Sequence, residues 1–135
     1  MKDLMKTNIY DCSDEIIIVG SCLKSVQPES FKELEDMKLP MFDLCLEQTH
    51  INMAITKLLG MLRAKKIKRI IFASVDKSPH CTQMHYIQDE ILKLGFDVKC
   101  ENYVSIDNKL VKIDREIISL SKNLAKLNQL LSNNN

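Results

Sequence analysis

Residues 15–20 read Glu-Ile-Ile-Ile-Val-Gly, a short β-branched run with no polar interruption. Such a run is typical of a strand that is buried on both faces of a sheet. Residues 68–73 (KRIIFA) repeat the pattern, and residues 97–100, with Tyr103 and Val104 nearby, are a weaker third candidate. These three segments predict the strands of a mostly parallel sheet.

Two helices are predicted between these strands, over residues 42–66 and 79–94. Apolar side chains recur at helical spacing in both segments, namely Ile51, Ile55, Leu58 and Leu62 in the first and Met84, Ile87, Ile91 and Leu94 in the second. Alternating strands and helices with right-handed crossovers form a parallel sheet with helices on both faces. We therefore predict an α/β fold, a three-layer Rossmann-like sandwich of three to four mostly parallel strands. A short helix capped by Ser30 and an edge strand over residues 6–12 are also predicted.

The C-terminal segment carries a heptad-like stripe. Its apolar residues are spaced alternately by three and four, which predicts a long C-terminal helix over residues 107–131; they are Leu110, Ile113, Ile117, Leu120, Leu124, Leu127 and Leu131. This stripe either covers the sheet or packs on a partner, most simply in a homodimer through residues 110–131. We predict one domain over residues 1–131 and a disordered tail over residues 132–135.

The composition argues against nucleic-acid and membrane partners and favours a reducing compartment. The chain has 135 residues, a net charge of +1, 5% aromatic residues and no tryptophan, so nucleic acid is not an expected partner. No apolar run approaches the ~20 residues that span a bilayer, so membrane insertion is not expected. The five cysteines are an odd number without a CxxC pair, which predicts free thiols in a reducing compartment and a cytoplasmic protein.

Candidate site residues follow the first two predicted strands, because ligands bind beyond the carboxyl ends of parallel strands. Ser78 and Pro79 predict a helix start that places Cys81 near unpaired backbone N–H groups, a setting that favours thiolate. The predicted catalytic residues are Cys81, Cys22, Asp76 and His80. The predicted ligand-binding residues are Ser21, Ser78 and Lys24, with Lys24 attracting an anionic group.

A metal site is the alternative for the same segments. Cys81 and His85 are four residues apart and share a helix face, so both can bind one metal ion, with Cys22 as the third ligand. The sequence leaves open whether the cofactor is zinc or whether none is needed. The polar stretch over residues 47–52 is a further candidate for ligand contact. Six residues after Cys81 and Cys22 there is no arginine, which disfavours a cysteine phosphatase.

These observations predict a thiol-centred site for thiol or metal-assisted chemistry on a small, anionic molecule. They do not decide whether the protein is an enzyme. One alternative is a structural metal or iron–sulfur module that uses Cys22, Cys45 and Cys81. The other is a non-catalytic interaction protein that assembles through its C-terminal helix.

Overall fold

The computed structural model describes residues 1–133, and in that part of the chain six strands form one sheet. The strands are β1 (Lys2–Asp3), β2 (Glu15–Gly20), β3 (Met41–Leu44), β4 (Arg69–Val75), β5 (Lys99–Ile106) and β6 (Lys109–Ile113). Their order is β1-β3-β2-β4-β5-β6. All neighbours are parallel except β5 and β6, which form an antiparallel hairpin. The predicted α/β sandwich is confirmed, with more strands than expected.

Seven α-helices surround the sheet within residues 1–133, in addition to a 3₁₀ turn at Leu4–Lys6. They are α1 (Leu23–Val26), α2 (Pro28–Glu35), α3 (Ile51–Ala64), α4 (Pro79–Met84), α5 (Ile87–Lys93), α6 (Arg115–Ser121) and α7 (Leu124–Asn133). None of the helices in this part of the chain is long and apolar enough to cross a membrane.

The central strands have an apolar core on each face. Side chains alternate along a strand, so Ile16 and Ile18 of β2 pack with α3, α4 and α5, whereas Ile17 and Val19 pack with α1 and α2. Ile17 of β2 lies opposite Ile71 of β4. Burial on both faces explains why these strands have no polar alternation and were readable from sequence.

Strand β3 was not predicted, and the helix expected over residues 42–66 begins only at Ile51. Met41–Leu44 alternates between half-buried and buried positions, which is the period of a strand. A turn over residues 46–48 separates β3 from α3. The His50 side chain caps α3 by accepting a hydrogen bond from the Asn52 N–H at 3.2 Å.

The C-terminal prediction of one helix over residues 107–131 is wrong at its start. Asp107 and Asn108 adopt positive φ angles of 51° and 58° and turn the chain from β5 into β6. Short polar side chains tolerate this conformation, so Asp-Asn favours a hairpin. The C-terminal helix is confirmed from Arg115 onward, although residues 122–123 divide it into α6 and α7. The predicted tail overlaps α7 at residues 132–133, and residues 134–135 lie outside the described part.

Three smaller predictions also need correction. Gln27, not Ser30, is the N-cap of α2, because Pro28 occupies its first turn. The buried Ser30 hydroxyl instead accepts a hydrogen bond from the Ser105 hydroxyl at 2.6 Å, which joins α2 to β5. The helix over residues 79–94 is divided between α4 and α5, and the edge strand expected over residues 6–12 lies at Lys2–Asp3.

Candidate functional site

The candidate site lies where the chain changes direction across the sheet. From β2 the chain passes to β3 on one side, and from β3 it crosses to β4 on the other side. Strands β2 and β4 are parallel, as predicted, and they are also adjacent, which the sequence left open, so their carboxyl ends open at one edge. In open α/β sheets such a switch point is the usual ligand site.

A small cavity at this edge is lined by the loops that follow β2, β3 and β4. It encloses about 30 Å³, room for one ion or a few water molecules. Its polar and thiol-bearing lining residues are Ser21, Cys22, Cys45, Glu47, Ser78, His80 and Cys81. Leu44, Leu46 and Met84 complete the wall. Three cysteines that are distant in sequence therefore line one cavity.

Cys81 reaches the end of β2 because Gly20 has no side chain. A Cβ atom placed on Gly20 would lie 2.9 Å from the Cys81 Sγ, closer than real Cβ contacts allow. The same Cβ would lie 3.8 Å from the Ala73 carbonyl oxygen of β4. The glycine at the end of the EIIIVG strand thus creates the space that the Cys81 sulfur occupies.

The predicted helix start at Ser78 is confirmed. Ser78 is the N-cap of α4, Pro79 is in its first turn, and the Cys81 N–H donates to the Ser78 hydroxyl at 3.4 Å. The N–H groups in the first turn of a helix have no partner within the helix. Proline has no N–H, so Pro79 leaves none unpaired at this position. The cap fixes Cys81, which is nearly buried, at the inner wall of the cavity.

Cys22 is the exposed member of the thiol cluster. Partial burial raises the pKa of its thiol, and the neighbouring Cys81, Cys45 and Glu47 groups raise that pKa further. Cys81, Cys45 and Glu47 line the same cavity as Cys22, and nearby acidic groups disfavour the charged form of its thiol.

His80 lies at the rim and is paired with a carboxylate. Its Nδ1 is 3.0 Å from the Glu47 Oε1, and both side chains are largely exposed. Glu47 belongs to the polar stretch that the sequence marked as a candidate ligand contact. This pair joins the turn after β3 to the start of α4.

His85 does not join this cluster. Its Nε2 lies 2.7 Å from the Ser74 Oγ, and its Nδ1 lies 2.9 Å from the Asn102 Oδ1. The Asn102 side-chain amide in turn donates to the Gln88 Oε1 at 3.0 Å. The Asn102 carbonyl oxygen can only accept a hydrogen bond, so the Nδ1 of His85 carries the proton and donates to it. The Nε2 of the neutral ring then accepts a hydrogen bond from the Ser74 hydroxyl.

This buried network gives His85 a structural role. The four residues of the network are each at most 1% exposed; they are Ser74, His85, Gln88 and Asn102. Burial lowers the pKa of His85, against a smaller opposite effect of its hydrogen bond to Asn102. The predicted metal set of Cys22, Cys81 and His85 is therefore not assembled, because both imidazole nitrogens of His85 have other partners.

Of the four remaining predicted residues, two line the cavity and two do not. Ser21 and Ser78 line it, and the Ser21 N–H donates to the Leu44 carbonyl oxygen at 3.1 Å. Asp76 is not among the lining residues, and its N–H joins β5 at the Ser105 carbonyl. The Lys24 ammonium lies 5.5 Å from the centre of the Phe31 ring and does not line the cavity either.

Sequence reasoning missed the residues that β3 and β5 supply. Cys45 appeared only in the alternative metal module, and neither Ser74 nor Asn102 was predicted to contact His85. The segment Met41–Leu44 has no clear alternation in its sequence, and only the structure places Cys45 directly beyond a strand end. Among residues 1–133, no three His, Cys, Asp or Glu side chains are already gathered closely enough to hold a metal ion.

Comparison with known proteins identifies a fold family. The family model described as "Rossmann-like domain" matches residues 12–135, which is most of the chain. No curated protein and no solved structure matches this chain.

Proposed function

Because the chain belongs to the Rossmann-like domain family, we propose that it acts at its switch point, where Cys22, Cys45 and Cys81 form a thiol-centred ligand site. The observation that carries this proposal is the convergence of three cysteines on one cavity from the loops after β2, β3 and β4. The proposal includes a cytoplasmic location, because the site requires reduced thiols.

The residues that line the cavity favour a ligand that bonds to sulfur over an anionic substrate. Among the described lining residues there is no lysine or arginine, so an anionic substrate would find no fixed cation there. The space of about 30 Å³ is also too small to enclose an organic substrate. A ligand that bonds directly to sulfur fits both the size and the charge of the site.

A trivalent arsenical tests whether the thiols act together. Phenylarsine oxide condenses with two thiols to form two As–S bonds and releases one water molecule. We expect one arsenical per reduced chain, bound through Cys81 and at least one of Cys22 and Cys45. The measurement is intact-protein mass spectrometry followed by peptide mapping.

Two cysteines outside the cavity provide matched controls. Cys12 and Cys100 are half-buried and do not line the cavity, and burial raises the pKa of Cys100 to about 11. Cys12→Ser and Cys100→Ser should retain the arsenical, whereas Cys81→Ser should lose it. Equal loss in Cys100→Ser and Cys81→Ser would show that the thiol cluster is not a site.

We also propose, as a second function, self-association through α7. This ten-residue helix has no buried residue in the described chain, and Leu124 and Leu131 are 75% and 66% exposed. Helices this short are marginally stable alone. Its single charged residue is Lys126, so two copies pair without strong repulsion.

Sedimentation velocity of the full chain tests this second proposal. We expect a dimer for the parent protein and a monomer for the double variant Leu124→Glu/Leu131→Glu, because two buried carboxylates would oppose pairing. Lys126→Glu is the matched control, since it reverses a charge without altering the leucine face. A parent protein that sediments as a monomer at high micromolar concentration contradicts the proposal.

A further inference from the structure

We propose that α7 of one chain docks in a groove between α3 and α5 of a second copy. The proposal rests on the proposed self-association through α7 and deepens it, because it names the surface that receives this helix. The groove has a volume of about 560 Å³. Its described lining residues are Ile51, Asn52, Ile55, Thr56, Tyr86 and Glu90.

The groove combines apolar side chains with a polar edge. Ile51 and Ile55 of α3 are half-buried and pack on the core beneath them, and Tyr86 is also half-buried. The other three lining residues are polar and exposed. An amphipathic helix binds a groove of this kind through apolar side chains at positions such as i, i+3 and i+7.

Helix α7 carries the matching pattern of apolar residues. Leu124, Leu127 and Leu131 are spaced by three and four residues, so they share one face of the helix. None of the described residues of α7 is buried, so this face is not seated in the groove of its own chain. A second copy can therefore receive the helix as it stands, without a change of conformation.

The charges of the helix and of the groove are complementary. Lys126 is the only charged residue of α7, and Glu90 is the only charged residue among the described residues that line the groove. Lys93 lies 3.8 Å from Glu90 on α5, but both side chains are largely exposed, and such a pair contributes little. A single carboxylate in the groove disfavours an acidic partner and favours a helix that carries one cation.

The groove and α7 lie next to each other on the surface of the chain. The Tyr86 hydroxyl is 2.9 Å from the Ser121 Oγ at the end of α6, and the Lys122 ammonium is 5.7 Å from the centre of the Tyr86 ring. Helix α7 begins two residues after Lys122. A two-fold axis beside this surface would place each α7 in the groove of the other copy, so that the interface closes as a dimer.

Sedimentation velocity of the full chain over a series of concentrations tests the assignment of the groove. Thr56→Arg places a long cation in the groove, where it would oppose Lys126, and we expect it to weaken association at least about tenfold. Met53→Arg is the matched control, because Met53 is 57% exposed on the same helix and does not line the groove. Its affinity should stay within about twofold of that of the parent protein.

An exchange of charges tests whether the two surfaces face each other. Glu90→Lys and Lys126→Glu should each weaken association about fivefold, much less than Leu124→Glu/Leu131→Glu does. The combined variant Glu90→Lys/Lys126→Glu should return to within about twofold of the parent affinity, because opposite charges meet again. Losses that simply add in the combined variant would mean that Glu90 and Lys126 do not meet.

The outcomes separate this inference from the proposed self-association. Weaker association in Thr56→Arg but not in Met53→Arg, together with recovery in the charge exchange, supports the groove. If Leu124→Glu/Leu131→Glu dissociates the dimer but Thr56→Arg does not weaken it, the groove assignment fails and self-association through α7 stands. If the parent protein is a monomer, both proposals fail. Circular dichroism shows whether Thr56→Arg folds, and the charge exchange decides if it does not.

Discussion

Replacing His85 by alanine is expected to lower the free energy of unfolding by about 3–5 kcal/mol. The change removes a buried ring and leaves a cavity beside Phe72, whose ring centre is 6.4 Å from that of His85. It also leaves the Ser74 hydroxyl and the Asn102 carbonyl oxygen without their partner in a site that excludes water. Urea denaturation followed by circular dichroism measures the loss.

The matched control for His85 is His80→Ala, because the His80 side chain is largely exposed. Its effect should stay within about 0.5 kcal/mol. Similar losses in the two variants would show that the buried network does not stabilise the fold.

The pH dependence distinguishes the imidazole of His85 from simple packing. Its pKa is lowered in the folded state, so between that pKa and the unfolded value of about 6.5 the unfolded chain binds a proton that the folded chain does not. Stability must therefore rise with pH through this window and be lost on acidification, with a slope of at most about 1.4 kcal/mol per pH unit. His85→Gln should lose this part of the slope, and an unchanged slope would contradict the assignment.

Replacing Gly20 by alanine is expected to destabilise the protein by about 1–3 kcal/mol and to weaken arsenical binding. The new Cβ would meet the Cys81 Sγ at 2.9 Å, and Gly20 is buried at the carboxyl end of β2. Cys81 would have to leave its place against β2. Urea denaturation and mass spectrometry of the arsenical complex measure the two effects.

A double-mutant cycle shows whether the sulfur is responsible. Cys81→Ala removes the atom that the new methyl group would meet, so Gly20→Ala should cost clearly less in the Cys81→Ala background. Additive costs would mean that Gly20 is needed for another reason. Gly60→Ala is the comparison at a more tolerant glycine, since its Cβ would lie 3.2 Å from Ile9 Cγ2.

The central strands could be predicted because a strand that is buried on both faces consists almost entirely of apolar residues. Residues 16–19 and 70–73 had to be apolar throughout, and they lie in two adjacent parallel strands. Strands β3 and β6 were hidden for the opposite reason, because neither is buried along its whole length. Their few apolar residues also fit a helical spacing, and only partner strands, which the sequence does not reveal, decide between the two.

The candidate site was predictable where local rules determine it. Ser78 and Pro79 fixed the start of α4, and Cys81 followed from that start. The roles of Cys45 and His85 depended on strand order and on a helix break at His85, which are tertiary facts. Spacing of four residues correctly indicates a shared helix face, but it does not indicate that β4 and β5 supply partners for the imidazole.

The three cavity cysteines follow three different strands, so any fragment that contains them all must span residues 22–81. A molecule that bridges their sulfurs gains its full contact only after β2, β3 and β4 have aligned. By mass action, such a molecule prolongs the lifetime of the native state and protects the sheet centre from hydrogen exchange. A molecule bound to all three cysteines therefore indicates that β2, β3 and β4 have folded.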